Sequence, residues 1–173
     1  LGFLAKKSKF PTLKSYEKGN MAQSAIGQGE VLASPIQMAL VASTIANDGV
    51  LMKPHLVSEV LNPSGDSVKK IKNEVVNTVT TVENAKRVKK YMKDTVSRGT
   101  AGAAAVDSIA VCGKTGTADT GRSGEKPHSW FIGFAPYENP QVAVAVIVEN
   151  GGVGGGISTE IAGKVIREAL REK

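Results

Sequence analysis

The first strongly apolar segment of the chain follows Ser34 and has the pattern of a buried helix. Ser34 is a favourable N-cap, and Pro35 suits the first helical position. Gln37 stands three residues after the cap, where its side chain completes a capping box. The apolar residues leave almost no polar face, so we expect this helix to be buried; they are Ile36, Leu40, Val41 and Ile45. Asn-Asp-Gly at 47–49 is a typical helix stop.

Two later segments predict amphipathic helices. One begins near Thr80 or Thr81, because Thr80 and Glu83 match a capping box, and it ends at Gly99. Its apolar residues recur at helical spacing and are Val82, Ala85, Val88, Met92 and Val96. Its other face is basic and is interpreted as a solvated surface rather than a contact to an anionic polymer. The second helix starts near Ser158, with an apolar face made of Ile161, Ala162, Val165, Ile166, Ala169 and Leu170.

Short apolar segments separated by turn residues predict strands. Residues 56–61 and 67–71 flank Asn-Pro-Ser-Gly-Asp, a strong turn sequence, and predict a hairpin. Three more strands are expected at 109–113, 129–134 and 142–148. Together with the amphipathic helices they predict an α+β fold, in which helices pack on the faces of an antiparallel sheet. No internal repeat or domain linker interrupts this pattern.

Composition restricts the class of protein. The 173 residues, 41% of them hydrophobic and 22% charged, suffice for one globular domain or the larger part of one. The net charge of +6 is interpreted as a solvated basic face, and an aromatic content of 5% argues against a nucleic-acid partner. The apolar run 142–148 is much shorter than the ~20 residues of a spanning helix, so any membrane anchor is expected outside this chain. Because the chain starts at Leu1 without a leader pattern, we expect a processed product or a piece of a longer protein.

The residue types that commonly bind metals are few. His55, His128 and Cys112 are too widely separated for a metal site, and neither a metal nor another cofactor is expected. His128 is interpreted as a structural or surface residue. Trp130 is interpreted as a core residue, with a ligand-contacting position at a groove rim as the alternative. Cys112 is expected to be a small buried residue, since its neighbours offer nothing that would lower its pKa.

The segment Lys114-Thr115-Gly116-Thr117 concentrates a cation, two hydroxyls and an uncovered backbone in four residues. On a strand, Lys114 and Gly116 share one face, and Thr115 and Thr117 share the other. At a sheet edge, the free backbone groups could pair with an extended peptide, and Lys114 could bind its terminal carboxylate with about 1.5–3 kcal/mol. A P-loop is excluded because Ser108 stands where its first glycine is required. The segment therefore predicts a site for a peptide with a free carboxylate.

Several motifs in a fixed order surround this segment, and together they resemble class B penicillin-binding proteins. The resemblance covers most of residues 20–170. It rests on 25–29 (AIGQG), 34–39 (SPIQMA), 45–49 (IANDG), 114–118 (KTGTA), 130–136 (WFIGFAP) and 149–152 (ENGG). It implies part of the transpeptidase fold shared by penicillin-binding proteins and β-lactamases.

The resemblance also implies an activity and residue roles. The activity is that of a peptidoglycan D,D-transpeptidase, in which a serine forms an acyl-enzyme and passes the acyl group to an amine of a neighbouring stem peptide. Lys114 and Thr115 would bind the carboxylate of a stem peptide or a β-lactam antibiotic and support proton transfer. The Thr117 N–H would provide half of the oxyanion hole, and Gly116 would keep the groove open. Such an enzyme works outside the cytoplasmic membrane.

The nucleophile implied by this resemblance is not found in the chain. The family's S-x-N motif is absent, and S-x-x-K occurs at 67–70, at 123–126 and from Ser15 to Lys18. These matches are interpreted as chance, because their polar surroundings would leave the lysines solvated and useless as bases. We therefore expect residues 1–173 to be the C-terminal portion of a single transpeptidase domain. The remainder of that domain, with the missing motifs, is the expected partner.

Two other functions stay open at this point. A serine β-lactamase or a β-lactam sensor domain also uses a strand with the K-T-G triplet, which is Lys114-Thr115-Gly116 in this chain. A non-enzymatic peptide-binding module could use the strand edge alone. The residues from 158 to 162 depart from the small-residue and proline run that often stands there in the family, which affects only local detail.

Overall fold

A three-stranded antiparallel sheet carries the K-T-G segment in this computed structural model, which describes residues 6–171. The described helices are α1 (Lys18–Ala25), α2 (Pro35–Ala46), α3 (Val82–Arg98) and α4 (Ile157–Arg171). The described strands are β1 (Val50–Met52), β2 (Glu59–Leu61), β3 (Ser67–Lys70), β4 (Val75–Thr78), β5 (Cys112–Ala118), β6 (His128–Ala135) and β7 (Val142–Val148). The main sheet has the order β5-β6-β7. The prediction of an antiparallel sheet packed with helices is confirmed.

Two small antiparallel pairs lie outside the main sheet. β2 and β3 form the hairpin predicted from the turn sequence between them, and Glu59 lies opposite Lys70. β1 pairs with β4, so the chain between them returns to the end of α2 before α3 begins. In the main sheet the register places Lys114 opposite Ile132 and Thr117 opposite Ser129. This register aligns the K-T-G segment with the middle of β6.

Separate apolar cores cover the two faces of the main sheet. Phe131 and Ile166 belong to the core between the sheet and α4, whereas Phe134 and Ala42 belong to the core on the side of α2. Helix α3 contributes to both, through residues one turn apart. Because neighbouring residues on a strand point to opposite faces, β6 supplies both cores. The sheet is therefore fixed from both sides.

The expectation that α2 is buried is wrong for its described side chains. Only Ala42 and Thr44 are buried, and Val41 is 41% exposed. The helix packs on β6 and β7 with one side, whereas the side that carries Val41 lines an open groove shared with α3. An apolar pattern shows which residues avoid water, but it cannot show whether the chain itself covers both sides of a helix.

The two predicted capping boxes are only partly formed. The Ser34 Oγ accepts from the Gln37 N–H as expected, but the Ser34 N–H donates to the Ser8 Oγ at 3.0 Å. Ser8, which is distant in sequence, thus makes the contact with the Ser34 N–H that a capping box assigns to the Gln37 side chain. At α3 the cap is Thr81, whose Oγ1 accepts from the Asn84 N–H at 3.2 Å, so the box starting at Thr80 is wrong by one residue.

The region between α3 and the main sheet also differs from the prediction. Gly99 ends α3 as expected, and the small-residue segment that follows it contains a short 3₁₀ helix, Gly102–Ala104. The strand expected at 109–113 begins only at Cys112, because the Ile109 N–H donates to the Val106 carbonyl in a tight turn. Ser108 adopts a φ of 62° in that turn. This backbone geometry interrupts an otherwise strand-like apolar run.

Replacing Phe131 should test how strongly the sheet depends on the core beneath α4. Phe131 is fully buried, so Phe131→Ala is expected to lower the free energy of unfolding by about 3–5 kcal/mol, measured by urea denaturation. Phe10 is 68% exposed, and Phe10→Ala is the matched control, with an expected effect within about 0.5 kcal/mol. Similar losses in both variants would contradict this packing.

Candidate active-site strand

Strand β5 lies at an edge of the main sheet, and its outward backbone groups can be assigned from two hydrogen bonds. The Lys114 Nζ donates to the Thr115 carbonyl at 2.6 Å, and the Gln28 Nε2 donates to the Thr117 carbonyl at 3.1 Å. In an antiparallel pair, the N–H and C=O of one residue point to the same side, and the side alternates along the strand. The N–H groups of Thr115 and Thr117 therefore also point away from β6, towards the open edge.

The side chains of β5 alternate as the sequence predicts. Lys114 is exposed and lines the groove between α2 and α3. On the opposite face, the Oγ1 atoms of Thr115 and Thr100 lie 3.1 Å apart, and the Thr117 Oγ1 accepts from the Gly154 N–H at 3.0 Å. The Lys114 ammonium and the outward N–H of Thr117 thus belong to the same strand. The ammonium lies beside the groove, and the N–H lies at the sheet edge.

Gly116 is bounded by the neighbouring strand. An added Cβ would lie 3.2 Å from the Trp130 Cβ, which is tighter than nine in ten such contacts. Trp130 is half-buried on the face that carries Gly116, so its interpretation as a core residue is only partly right. Because Gly116 has no side chain, it leaves space beside Lys114, as expected. It also leaves room for Trp130 on the neighbouring strand.

The loop before α4 supports β5 from behind, through groups that sequence reasoning missed. Gly154 is buried, and a Cβ there would overlap the backbone of Gly116. The Gly154 carbonyl accepts from the Thr159 Oγ1 at 2.7 Å, and the Ser158 Oγ lies 2.7 Å from the Ser129 Oγ. The three hydroxyl-bearing residues are fully buried. From the sequence alone, the glycine-rich segment 151–156 is typical of a flexible loop. Only Ser158 and Thr159, near the start of α4, indicate that the segment is anchored.

An open apolar groove lies beside Lys114. It has a volume of about 310 Å³. Its walls come from α2, α3, β5 and β6, and its lining residues are Val41, Ala42, Ile45, Val88, Tyr91, Met92, Thr95, Lys114 and Ile132. Lys114 is the charged residue of this lining, so its ammonium stands at the margin of an apolar surface.

The remaining candidate residues lie apart from this strand or have structural contacts. Ser15 is exposed in a turn, and Lys18 is the exposed first residue of α1. The His128 Nδ1 accepts from the Asn150 N–H at 3.0 Å. Cys112 is fully buried as predicted, and burial raises the pKa of its thiol to about 12.

The described part of the chain contains neither a metal-ligand cluster nor a membrane-spanning candidate. No group of three or more histidine, cysteine, aspartate or glutamate side chains lies close enough together in 6–171 to hold a metal ion. Within the same residues, no helix combines the length and the apolar character needed to cross a bilayer.

The chain belongs to the family of penicillin-binding protein transpeptidase domains, whose family model matches residues 4–167. It is 36% identical over 166 residues to the peptidoglycan D,D-transpeptidase PbpA of Mycolicibacterium smegmatis, covering 88% of this chain and 32% of that protein. The chain therefore spans about a third of the length of this curated relative. The family and the fold class predicted from the sequence are confirmed.

Solved structures give the same result. The crystal structure of PBPA from Mycobacterium tuberculosis superimposes with a TM-score of 0.85 at 30% identity, covering 98% of this chain and 41% of that one. The imipenem acyl-enzyme complex of penicillin-binding protein A from M. tuberculosis has a TM-score of 0.76 at 31% identity, covering 87% of this chain and 34% of the other. The arrangement of β5, β6, β7 and the surrounding helices is thus that of this family.

Substituting Gly154 should test the support behind β5. Gly154→Ala places a methyl group on the Gly116 backbone, so we expect a loss of about 1–3 kcal/mol in the free energy of unfolding. We also expect faster amide hydrogen exchange along β5. In Gly156→Ala, the matched control in the same loop, the Cβ would lie 3.4 Å from the Val153 carbonyl, an ordinary contact. Equal effects of the two substitutions would show that Gly154 does not hold the strand.

Proposed function

We propose that this chain is the C-terminal portion of the transpeptidase domain of a peptidoglycan D,D-transpeptidase. The observation that supports this most directly is the edge strand β5, which combines the Lys114 ammonium with the outward N–H of Thr117. A peptide that ends in D-Ala-D-Ala has a free carboxylate for the first group and a scissile carbonyl for the second. The same pair suits a β-lactam antibiotic, which carries a carboxylate and a strained carbonyl.

Three residues of β5 have roles in the proposed reaction. Lys114 binds the carboxylate from the side of the groove, and Thr115 reaches it at the strand edge with the hydroxyl that otherwise contacts the Thr100 Oγ1. This binding places the scissile carbonyl of the extended substrate along the strand edge. A serine Oγ attacks that carbonyl carbon, and the resulting oxyanion accepts from the Thr117 N–H. The C–N bond breaks, the serine proton passes to the departing D-Ala amine with support from Lys114, and the acyl-enzyme remains. An amine of a second stem peptide then displaces the serine.

The attacking serine lies outside this sequence in our proposal. Ser15 stands in an exposed turn, and the side chain of Lys18 is solvated, so this pair lacks the surroundings that activate a nucleophile. The apolar groove beside Lys114 offers a surface against which the remainder of the domain can pack. Stem peptides and β-lactams are the proposed ligands, and the proposed location is extracytoplasmic, with any membrane anchor outside this chain.

Labelling with a fluorescent penicillin tests this division of the domain. We expect the complete protein to be labelled stoichiometrically and the isolated chain of residues 1–173 to remain unlabelled. Mass spectrometry of the labelled complete protein should place the adduct on a serine outside this sequence. An adduct on Ser15 would contradict the proposal. Efficient turnover of the penicillin by the complete protein would favour a serine β-lactamase instead.

Removing the Lys114 charge tests carboxylate binding. A charge-assisted hydrogen bond contributes enough that Lys114→Met in the complete protein should slow acylation by penicillin G about 10- to 100-fold. The measurement is the second-order rate constant of acylation at low ligand concentration. Lys86→Met, which removes an exposed lysine of α3, is the matched control and should acylate at the unaltered rate. If both variants react alike, Lys114 does not bind the ligand.

A further inference from the structure

The loop between α1 and α2 presents one side chain, Gln28, to the candidate strand. Gly27 and Gly29 flank it with φ values of 74° and 69°, a left-handed conformation that side chains rarely adopt. The Gln28 N–H donates to the Gln23 carbonyl at 2.9 Å, which ties the loop to the end of α1. The backbone at Gln28 is therefore held in a defined turn, and the direction of its side chain follows from that turn.

The side-chain amide of Gln28 reaches an acceptor of the sheet edge. Its Nε2 lies 3.1 Å from the Thr117 carbonyl, a contact between residues 89 positions apart in sequence. The other outward carbonyl, that of Thr115, accepts from the Lys114 Nζ. Both outward acceptors identified on β5 are thus occupied by donors of this chain, although the strand is at an edge.

A peptide-like ligand would need one of these acceptors. When two antiparallel strands meet in a hydrogen-bonded pair, the two residues exchange both N–H···O bonds. A ligand carbonyl that accepts from the Thr117 N–H therefore brings its neighbouring N–H towards the Thr117 carbonyl. The Gln28 amide already stands in that direction, so it competes with the ligand N–H for the same oxygen.

We propose that Gln28 is a specificity-determining residue, whose amide takes the place of a ligand N–H on the Thr117 carbonyl. Ligands that carry an amide N–H beside the reacting carbonyl must displace the Gln28 amide. Ligands without that N–H leave the Gln28 contact in place and react without this cost. The inference rests on the proposed function, because it assumes that Thr117 lines the acylation site.

The test compares two β-lactams on the complete protein. Penicillin G carries an acylamino N–H beside its lactam carbonyl, whereas imipenem carries a hydroxyethyl group there. Gln28→Met keeps the length of the side chain and removes its donor. We expect the second-order acylation rate constant for penicillin G to rise about 2- to 10-fold, the range of one net hydrogen bond, and that for imipenem to stay unchanged. Gln37→Met, an exposed glutamine on α2, is the matched control and should change neither constant.

The other outcomes contradict the inference in distinct ways. An equal decrease for both ligands would mean that Gln28 only positions the Thr117 peptide, and a decrease for penicillin G alone would mean that it assists this ligand. An unchanged ratio of the two constants would also overturn the proposal. If Gln28→Met unfolds, Gln28→Glu removes the donor with the same shape, and the ratio of the two constants should shift in the same direction. Should neither ligand acylate the parent protein, the proposed function itself fails.

Discussion

The contact of Gly154 with the backbone of Gly116 is the constraint on which the candidate site depends. A strand at the edge of a sheet is held by one neighbour only, so its position has to be fixed by contacts on its faces. Gly154 approaches the face of β5 more closely than any residue with a side chain could. Its N–H donates to the Thr117 Oγ1 at the same place. The support therefore leaves the outward backbone groups of the strand untouched.

This support is stable because its polar groups are satisfied. The hydroxyls of Ser129, Ser158 and Thr159 are fully buried, and each has a hydrogen-bond partner within the cluster or on the Gly154 loop. A buried hydroxyl left without a partner costs about 1–3 kcal/mol, so the cluster fixes the loop more firmly than packing of glycines could. Within residues 6–171, no buried side-chain nitrogen or oxygen lacks a partner. The glycine-rich segment 151–156 is thus an ordered support behind β5.

The opposite side of β5 has a different character. There α2 and α3 form an apolar groove, with Lys114 at its margin and Val41 exposed. Apolar walls exposed in this way are typical of surfaces that a neighbour covers. One face of the strand is thus supported by the chain itself, whereas the other borders an open groove.

The sequence by itself determined the helices α2, α3 and α4, the antiparallel hairpin, and the chemistry of the K-T-G segment. Periodicity, caps and turn residues act over a few positions, so they can be recognised without knowing the fold. Tertiary structure alone decided the contacts between distant residues. Ser8 rather than Gln37 satisfies the Ser34 N–H, Gly154 supports Gly116, and Gln28 reaches Thr117. Such contacts depend on how separate elements approach in space, and no local pattern of residue types encodes that approach.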